Sequence, residues 1–134
     1  MSFWLLKTEP VTYSFADLQR DGKSRWDGVS NNLALKNIRM MTKGDLVFVY
    51  HTGGEKAIIG TAEVVSSPYP DPKSKDPRLV VVDIKARSPL RKAVPLSEIK
   101  KRKELSDFPL VRLPRLSVVP VSEQQWKLLL QMAL

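Results

Sequence analysis

The chain has 134 residues, 43% of them hydrophobic, which is long enough for one domain with a core of its own. It contains no cysteine, which excludes disulfides, a thiolate nucleophile and cysteine-ligated zinc. The net charge is +8, and segment 73–115 carries all of it, with 13 Lys/Arg and 5 Asp/Glu against 9 of each elsewhere. Such a basic block attracts a polyanion, most commonly nucleic acid, but it is equally typical of a solvated surface that keeps a protein soluble.

Neither a membrane span nor a signal peptide is indicated. No apolar run approaches the roughly 20 residues that cross a bilayer, and the first residues lack the order of basic, apolar and small residues that marks a signal peptide. We therefore expect a cytoplasmic protein with no membrane partner. We also expect a single domain over residues 1–134 that acts as a monomer.

The first half of the chain predicts two helices between strands. Residues 2–7 form a short apolar run, which predicts a buried strand. Ser14 and Asp17 have the spacing of a helix-capping box, and Gly22 is expected to end that helix. Apolar residues at helical spacing within 31–41 predict the second helix.

Strands and turns dominate the second half. Segments 46–50 and 58–65 flank a glycine-containing turn, which predicts a hairpin. Four prolines make 66–78 an irregular loop, and the β-branched residues of 79–86 predict another central strand. The elements predicted after these are a helix capped by Ser97, a strand over 116–121, and a terminal helix capped by Ser122 with Trp126, Leu129, Leu130 and Ala133 on one face.

This order of elements predicts an α+β fold. Consecutive strands joined by tight turns favour a small, mostly antiparallel barrel or strongly curved sheet whose openings are covered by helices. The sequence has no glycine-rich phosphate loop and no His/Asp cluster at metal-ligand spacing. We therefore expect no cofactor and no bound metal.

The segment Trp-Asp-Gly-Val-Ser-Asn at 26–31 is the strongest candidate for a ligand site. A large aromatic is followed by a chain-bending glycine and two small polar side chains. That combination suits a pocket in which a planar ring stacks on Trp26 while Ser30 and Asn31 read its edge. A tryptophan in a small domain is more often a core residue, so the ligand interpretation depends on other parts of the chain.

Two further segments carry polar residues next to predicted strands. Lys7 and Glu9 follow the first strand, where they form either a surface ion pair or the mouth of a pocket. Arg115 precedes the last strand, where it either holds a phosphate through two hydrogen bonds or pairs with a nearby acid.

The chain has one histidine, His51, beside Tyr50 at the end of a predicted strand. A lone histidine is usually structural. No Gly-x-Ser-x-Gly is present, so a serine hydrolase is not indicated. The alternative to a binding protein is an enzyme, or its accessory subunit, that acts on a small anion or nucleotide with His51 as general base. Such an enzyme needs a second titratable group, for which Glu9 and Lys7 are the candidates.

Taken together, these segments resemble the EVE domain family, a branch of the PUA-like superfamily related to the YTH readers of methylated adenine. The matching pieces include residues 4–10, 26–29, 50–51 and 115–118, in the family's order and over nearly the whole chain. The resemblance implies a PUA-like pseudo-barrel of five or six mostly antiparallel strands with peripheral helices. It also implies a non-catalytic nucleic-acid-binding module that reads a modified, flipped or unpaired base in DNA or RNA.

The resemblance also implies roles for particular residues. Trp26 would stack on the base, Asn31 would hydrogen-bond its edge, and Arg115 would face a phosphate. The complete set of base- or ligand-binding residues implied in this way is Lys7, Thr8, Glu9, Trp26, Ser30, Asn31, Tyr50, His51, Arg115, Leu116 and Ser117.

Four positions depart from the family pattern. The family usually has Arg, an aromatic residue, Arg and Trp where this chain has Ser30, Asn32, Leu35 and Leu79. Losing two basic groups and a ring near the site predicts weaker binding of nucleic acid or a different preferred modification. The basic block at 73–115 would compensate.

Overall fold

The computed structural model describes residues 1–134 as a seven-stranded sheet with five short helices around it. The strands are β1 (Phe3–Thr8), β2 (Lys23–Trp26), β3 (Leu46–His51), β4 (Ala57–Val64), β5 (Tyr69–Pro70), β6 (Val80–Pro95) and β7 (Val118–Val121). The helices are α1 (Phe15–Asp21), α2 (Asn32–Arg39), α3 (Leu96–Lys100), α4 (Pro109–Arg112) and α5 (Glu123–Met132), with a 3-10 turn at Lys103–Leu105. None of these helices has the length and apolar character that crossing a bilayer requires.

The sheet is antiparallel except at its centre. The strand order is β2-β6-β4-β3-β1-β7, and β5 pairs with β6 outside this path. Strands β1 and β3 are parallel, whereas every other pair is antiparallel. Two register irregularities between β4 and β6 bend the sheet, and α2 packs against both β6 and β7. The predicted α+β, PUA-like fold is confirmed, with seven strands instead of five or six.

The two parallel strands are buried on both faces. In β1, Trp4, Leu5 and Leu6 are at most 4% exposed, and all of β3 after its first residue is buried. On one face, the indole of Trp126 in α5 stacks on Phe48 with 3.8 Å between ring centroids. Burial on both faces explains why these strands are apolar runs without alternating polar residues.

A buried carboxylate fixes the beginning of this parallel pair. Asp45 is 1% exposed and accepts four hydrogen bonds of 2.9–3.0 Å, from the Ser2 amide, the Trp4 indole, and the amide and hydroxyl of Thr42. Burial by itself would raise the pKa of Asp45, but these donors hold it below its ordinary value of 3.8. The ionised carboxylate therefore ties the start of β1 to the residue that precedes β3.

Helix α1 docks on the sheet because β4 has a glycine beneath it. The Phe15 ring is 2% exposed and lies over Gly60, where an added Cβ would overlap the ring. Ser14 caps this helix and forms the predicted capping box with Asp17, and Gly22 ends the helix as predicted, with φ +77°.

Several local predictions are wrong. Helix α3 begins one residue before Ser97, after Pro95, and has no side-chain cap. Leu130 is 37% exposed, so it does not share the buried face of α5, although the Ser122 capping box is present. The short strand β5 lies within the region 66–78 that was predicted as irregular.

Strand β2 and helix α4 were not predicted, for identifiable reasons. Strand β2 reads Lys-Ser-Arg-Trp and has three partly exposed or exposed residues, so it lacks an apolar pattern. It forms because it pairs with β6 across more than 50 residues of chain. Helix α4 is a single four-residue turn that starts at Pro109.

Gly60→Ala is expected to destabilise the fold by about 1–3 kcal/mol, because the new methyl group must displace Phe15. Urea unfolding measures the loss. Gly54→Ala is the matched control, since a Cβ there meets no atom within 4 Å. Equal stability of the two variants would contradict this account of how α1 docks.

Asp45→Asn is expected to cost about 1.5–3 kcal/mol near neutral pH, because the charged acceptor of four hydrogen bonds is lost. The folded-state pKa is depressed, so the carboxylate's stabilisation is complete above its ordinary pKa of 3.8 and is lost as the pH falls below that value. Urea unfolding at several pH values should show wild type and variant converging in acid. The exposed Asp107→Asn should match wild type throughout, and a pH-independent Asp45→Asn effect would contradict the prediction.

Candidate functional site

A cavity lined by Tyr13 and Trp26 lies where β1 and β2 end. This cavity has a volume of about 540 Å³ and is named here the aromatic cleft. Its lining consists of Lys7, Thr8, Glu9, Thr12, Tyr13, Ser24, Arg25, Trp26, Asp27, Gly28, Val29 and Ser117. The volume falls within the range of about 300–1,000 Å³ that is usual for small-molecule sites.

Trp26 forms part of the cleft wall but is mostly buried. Its indole is 8% exposed, and Tyr13 packs edge-on against it with 6.4 Å between centroids and 74° between planes. The Tyr13 hydroxyl donates to Asp21 at 2.8 Å, which fixes that ring. A flat guest therefore meets the accessible strip of Trp26 together with Tyr13, rather than a whole open indole face. Gly28 follows with φ +79°, which turns the chain around the cleft.

The cleft combines two cations with two carboxylates. Lys7 is partly buried and donates to the Pro114 carbonyl at 2.8 Å, and burial lowers the pKa of its ammonium group. Arg25 donates to the Tyr69 hydroxyl at 3.3 Å, a contact that raises the pKa of the guanidinium. These contacts hold both positive charges in place at the cleft wall.

The carboxylates differ in how much they are already engaged. Glu9 accepts from the Thr52 hydroxyl at 3.1 Å and lies against Gly53. Asp27 is exposed, and its carboxylate makes no hydrogen bond or ion pair within the protein. Asp27 is therefore the carboxylate of the cleft that has no hydrogen-bond or ion-pair partner within the protein. The Thr8 hydroxyl is engaged as well, since it donates to the Tyr13 carbonyl at 2.6 Å.

Three residues predicted to share the Trp26 site lie in a different cavity. Asn31, Arg115 and Leu116 line an opening of about 350 Å³, named here the arginine cleft, together with Leu33, Arg112, Leu113 and Pro114. The Asn31 side chain is committed to the backbone, because it caps α2 by accepting from the Ala34 amide at 3.0 Å. The structure therefore does not bring these three residues into the cavity that Trp26 lines, and the Asn31 side chain is used as the cap of α2.

Ser30 and Tyr50 also lie outside the aromatic cleft. Ser30 is exposed and lines neither cavity, whereas Tyr50 is 4% exposed beneath Lys7, whose Nζ lies 5.8 Å from the ring centroid. Of the predicted residues, those that the structure brings together in the aromatic cleft are Lys7, Thr8, Glu9, Trp26 and Ser117.

His51 is a structural residue in this fold. It is 6% exposed and lines neither cleft. Its Nε2 accepts from the Phe15 amide at 3.0 Å, so Nδ1 carries the proton and donates to Glu55 Oε1 at 2.9 Å. The predicted roles of His51 as a pocket wall and as a general base are corrected, because the lone pair that a base would use already accepts a backbone hydrogen bond.

The structure also shows where the positions that depart from the family pattern lie. Leu35 is fully buried, so that position does not face a cleft. Asn32 accepts from Arg78 Nη1 at 2.6 Å on the surface, where it holds a member of the basic block against α2. Leu79 is partly buried just before β6.

Sequence reasoning missed Tyr13 and Arg25 as members of the cleft, and it gave no role to Asp27, although that residue lies within the candidate segment 26–31. Tyr13 lies between the predicted strand and helix, a place where a pocket wall has no sequence signature. Arg25 and Asp27 directly flank Trp26 at the end of β2, and the polar sequence of this strand gave no signal that the chain forms a cavity wall there. No group of three or more His, Asp or Glu side chains is positioned to hold a metal ion.

The curved, mostly antiparallel sheet with its peripheral helices defines a PUA-like domain. The family profile described as "EVE domain" matches residues 2–132. This chain therefore belongs to the EVE domain family.

Several relatives are similar over nearly the full chain. Human thymocyte nuclear protein 1 is 28% identical over 165 residues, which cover 98% of this chain and 73% of that protein. The NMR structure of Rpa0253 from Rhodopseudomonas palustris is 38% identical with a TM-score of 0.94, covering 99% of this chain and 93% of that one. The crystal structure of the human THYN1 protein in complex with 5-methylcytosine containing DNA is 26% identical with a TM-score of 0.88, covering 99% and 98%.

His51→Ala is expected to destabilise the fold by about 1–3 kcal/mol, because the buried Phe15 amide loses its acceptor. Thermal or urea unfolding measures this loss. Glu55→Gln should cost less, since the Glu55 side chain is 53% exposed and the Phe15 bond remains. A His51→Ala variant as stable as wild type would contradict the structural role.

Proposed function

We propose that this domain binds a modified base, flipped or unpaired, in DNA and that it does so without catalysis. The observation that carries the proposal is the aromatic cleft itself, in which Trp26 and Tyr13 lie beside a free carboxylate and two fixed cations. Aromatic walls suit a planar base, whereas cations at the same opening suit the phosphates that accompany it.

The polar groups of the cleft favour a cytosine. The exocyclic amine of cytosine is a hydrogen-bond donor that carboxylates accept, and Asp27 is the cleft carboxylate without an internal partner. Val29 supplies apolar surface on the same loop, which suits a methyl group on the ring. A flipped base exposes both its amine and its C5 substituent to such a wall.

The similarity to human THYN1, whose structure contains 5-methylcytosine DNA, supports DNA as the carrier and 5-methylcytosine as the first base to test. The position of His51 supports binding without chemistry, because this candidate base of an enzyme does not line the aromatic cleft. His51, the candidate base, is engaged on both ring nitrogens. RNA that contains the same modified base is the alternative ligand, and the test below includes it.

The test compares matched DNA duplexes with and without one 5-methylcytosine, and their RNA counterparts, by fluorescence anisotropy. Wild type should bind the methylated DNA most tightly. Asp27→Ala should weaken binding to it about tenfold or more, since a contact to a base edge contributes about 1–3 kcal/mol. Asp27 is exposed, so the variant should keep the stability of wild type.

Asp107→Ala is the matched control, because Asp107 is also exposed and unpaired but lines a different cavity. Trp26→Phe probes the aromatic wall without emptying the core, and it should weaken binding of methylated DNA. The proposal fails if wild type binds methylated and unmethylated DNA equally, or if Asp27→Ala and Asp107→Ala bind equally well.

A further inference from the structure

A second, strongly cationic cavity adjoins the aromatic cleft. It has a volume of about 330 Å³ and is named here the lysine cleft. Its lining consists of Lys7, Tyr50, Thr52, Gly53, Lys56, Leu96, Lys100, Leu110 and Pro114. Neither the resemblance nor the predicted site includes Lys56 or Lys100.

Three lysines from different elements converge on this cavity. Lys7 comes from the end of β1, Lys56 from the turn before β4, and Lys100 from the end of α3. None of the three forms a salt bridge, and no carboxylate lines the cavity. Glu9 lies at its border, where it contacts Gly53 but lines the aromatic cleft. Converging lysines without an internal counter-charge form a site for an anion.

The backbone at Lys56 is unusual. With φ +44°, Lys56 is the single non-glycine residue of this chain in the left-handed region, which disfavours any side chain with a Cβ. Its carbonyl accepts from the Leu96 amide at 2.8 Å, which fixes the turn against the start of α3. A glycine would relieve the local strain, so the presence of a lysine suggests a use for its charge.

The lysine cleft and the aromatic cleft share Lys7 as a wall. The arginine cleft, in contrast, has no lining residue in common with the aromatic cleft. The lysine cleft is therefore the cavity that has a wall in common with the aromatic cleft.

We propose that the lysine cleft holds a backbone phosphate adjacent to the nucleotide whose base occupies the aromatic cleft, with Lys56 and Lys100 as its principal contacts. This inference rests on the proposed function. Lys7 would then serve both cavities, between the base and the phosphate. A bound phosphate would also favour the charged form of Lys7, whose pKa burial lowers in the free protein.

The first experiment measures the affinity of wild type, Lys56→Gln and Lys100→Gln for the 5-methylcytosine duplex as a function of salt. Each phosphate contact contributes a slope of about 0.9 in log affinity against log salt, so the double variant Lys56→Gln/Lys100→Gln should bind about eightfold more weakly near 0.1 M salt, and each single variant should lose part of that factor. The ratio of affinities for methylated and unmethylated DNA should stay the same, because phosphate contacts carry no base information.

Lys43→Gln is the matched control. Lys43 is exposed, forms no salt bridge, and precedes β3, at the end of that strand opposite Tyr50. It removes the same charge far from the lysine cleft, so its effect on affinity should stay below about twofold. Lys56→Gly tests whether a loss of binding comes from the lost charge or from a damaged fold. This variant should bind as weakly as Lys56→Gln, whereas its Tm should equal or exceed that of wild type, because glycine tolerates the positive φ at this position.

A second experiment replaces single phosphates beside the methylated base with neutral methylphosphonates. At the phosphate held by the lysine cleft, neutralisation should weaken wild type about eightfold but change little in the Lys56→Gln/Lys100→Gln double variant, as in a double-mutant cycle. If these lysine variants lose no more affinity than Lys43→Gln while wild type still distinguishes methylated DNA, the phosphate site is overturned and the reader function stands. If wild type does not distinguish methylated DNA, both proposals fail, whatever the lysine variants do.

Discussion

The parallel pairing of β1 and β3 is the constraint on which the rest of the structure depends. Two parallel strands end at the same edge of the sheet, and their register places Lys7 beside Tyr50 and Thr8 beside His51. The Asp45 carboxylate fixes that register from the opposite end, by joining residues before and within β1 to the turn before β3. Because a one-residue slip would turn each side chain to the other face, this buried charge decides what reaches the candidate site.

The two sides of that strand edge have different chemistry although they share Lys7. On one side, β2 and the following loop bring Trp26 and the Asp27 carboxylate, and the segment before α1 brings Tyr13; together they suit a neutral, flat group with donor atoms. On the other side, the turn before β4 and the end of α3 bring lysines without acidic partners. A nucleotide has the same division between a flat base and an anionic phosphate. The division in the protein arises from topology, since the contributing elements lie far apart in sequence.

The sequence correctly predicted features that depend on residues close together in the chain, such as the starts of helices. The Ser14 capping box forms as predicted, and Ser122 begins the terminal helix as predicted, because both signals depend on residues three positions apart. It was insufficient where partners lie far along the chain. Strand β2 has a polar sequence and exists through its pairing with β6. Asn31 was predicted to hydrogen-bond the edge of a base. A small polar residue before a helix is equally suited to cap that helix, and in the structure the Asn31 side chain forms the cap.

The sequence also does not show which charges of the basic block at 73–115 have acidic partners. Within 73–115, Arg78, Arg87 and Lys101 are paired with nearby carboxylates, so their charges are partly neutralised locally. Lys100 is next to Lys101 in sequence, yet it has no acidic partner and lines the lysine cleft. Adjacent residues on a helix point about 100° apart, so two neighbouring lysines can serve different surfaces. The total of +8 already subtracts these carboxylates, but it does not show where the excess charge lies; the unpaired lysines beside the aromatic cleft mark one such place.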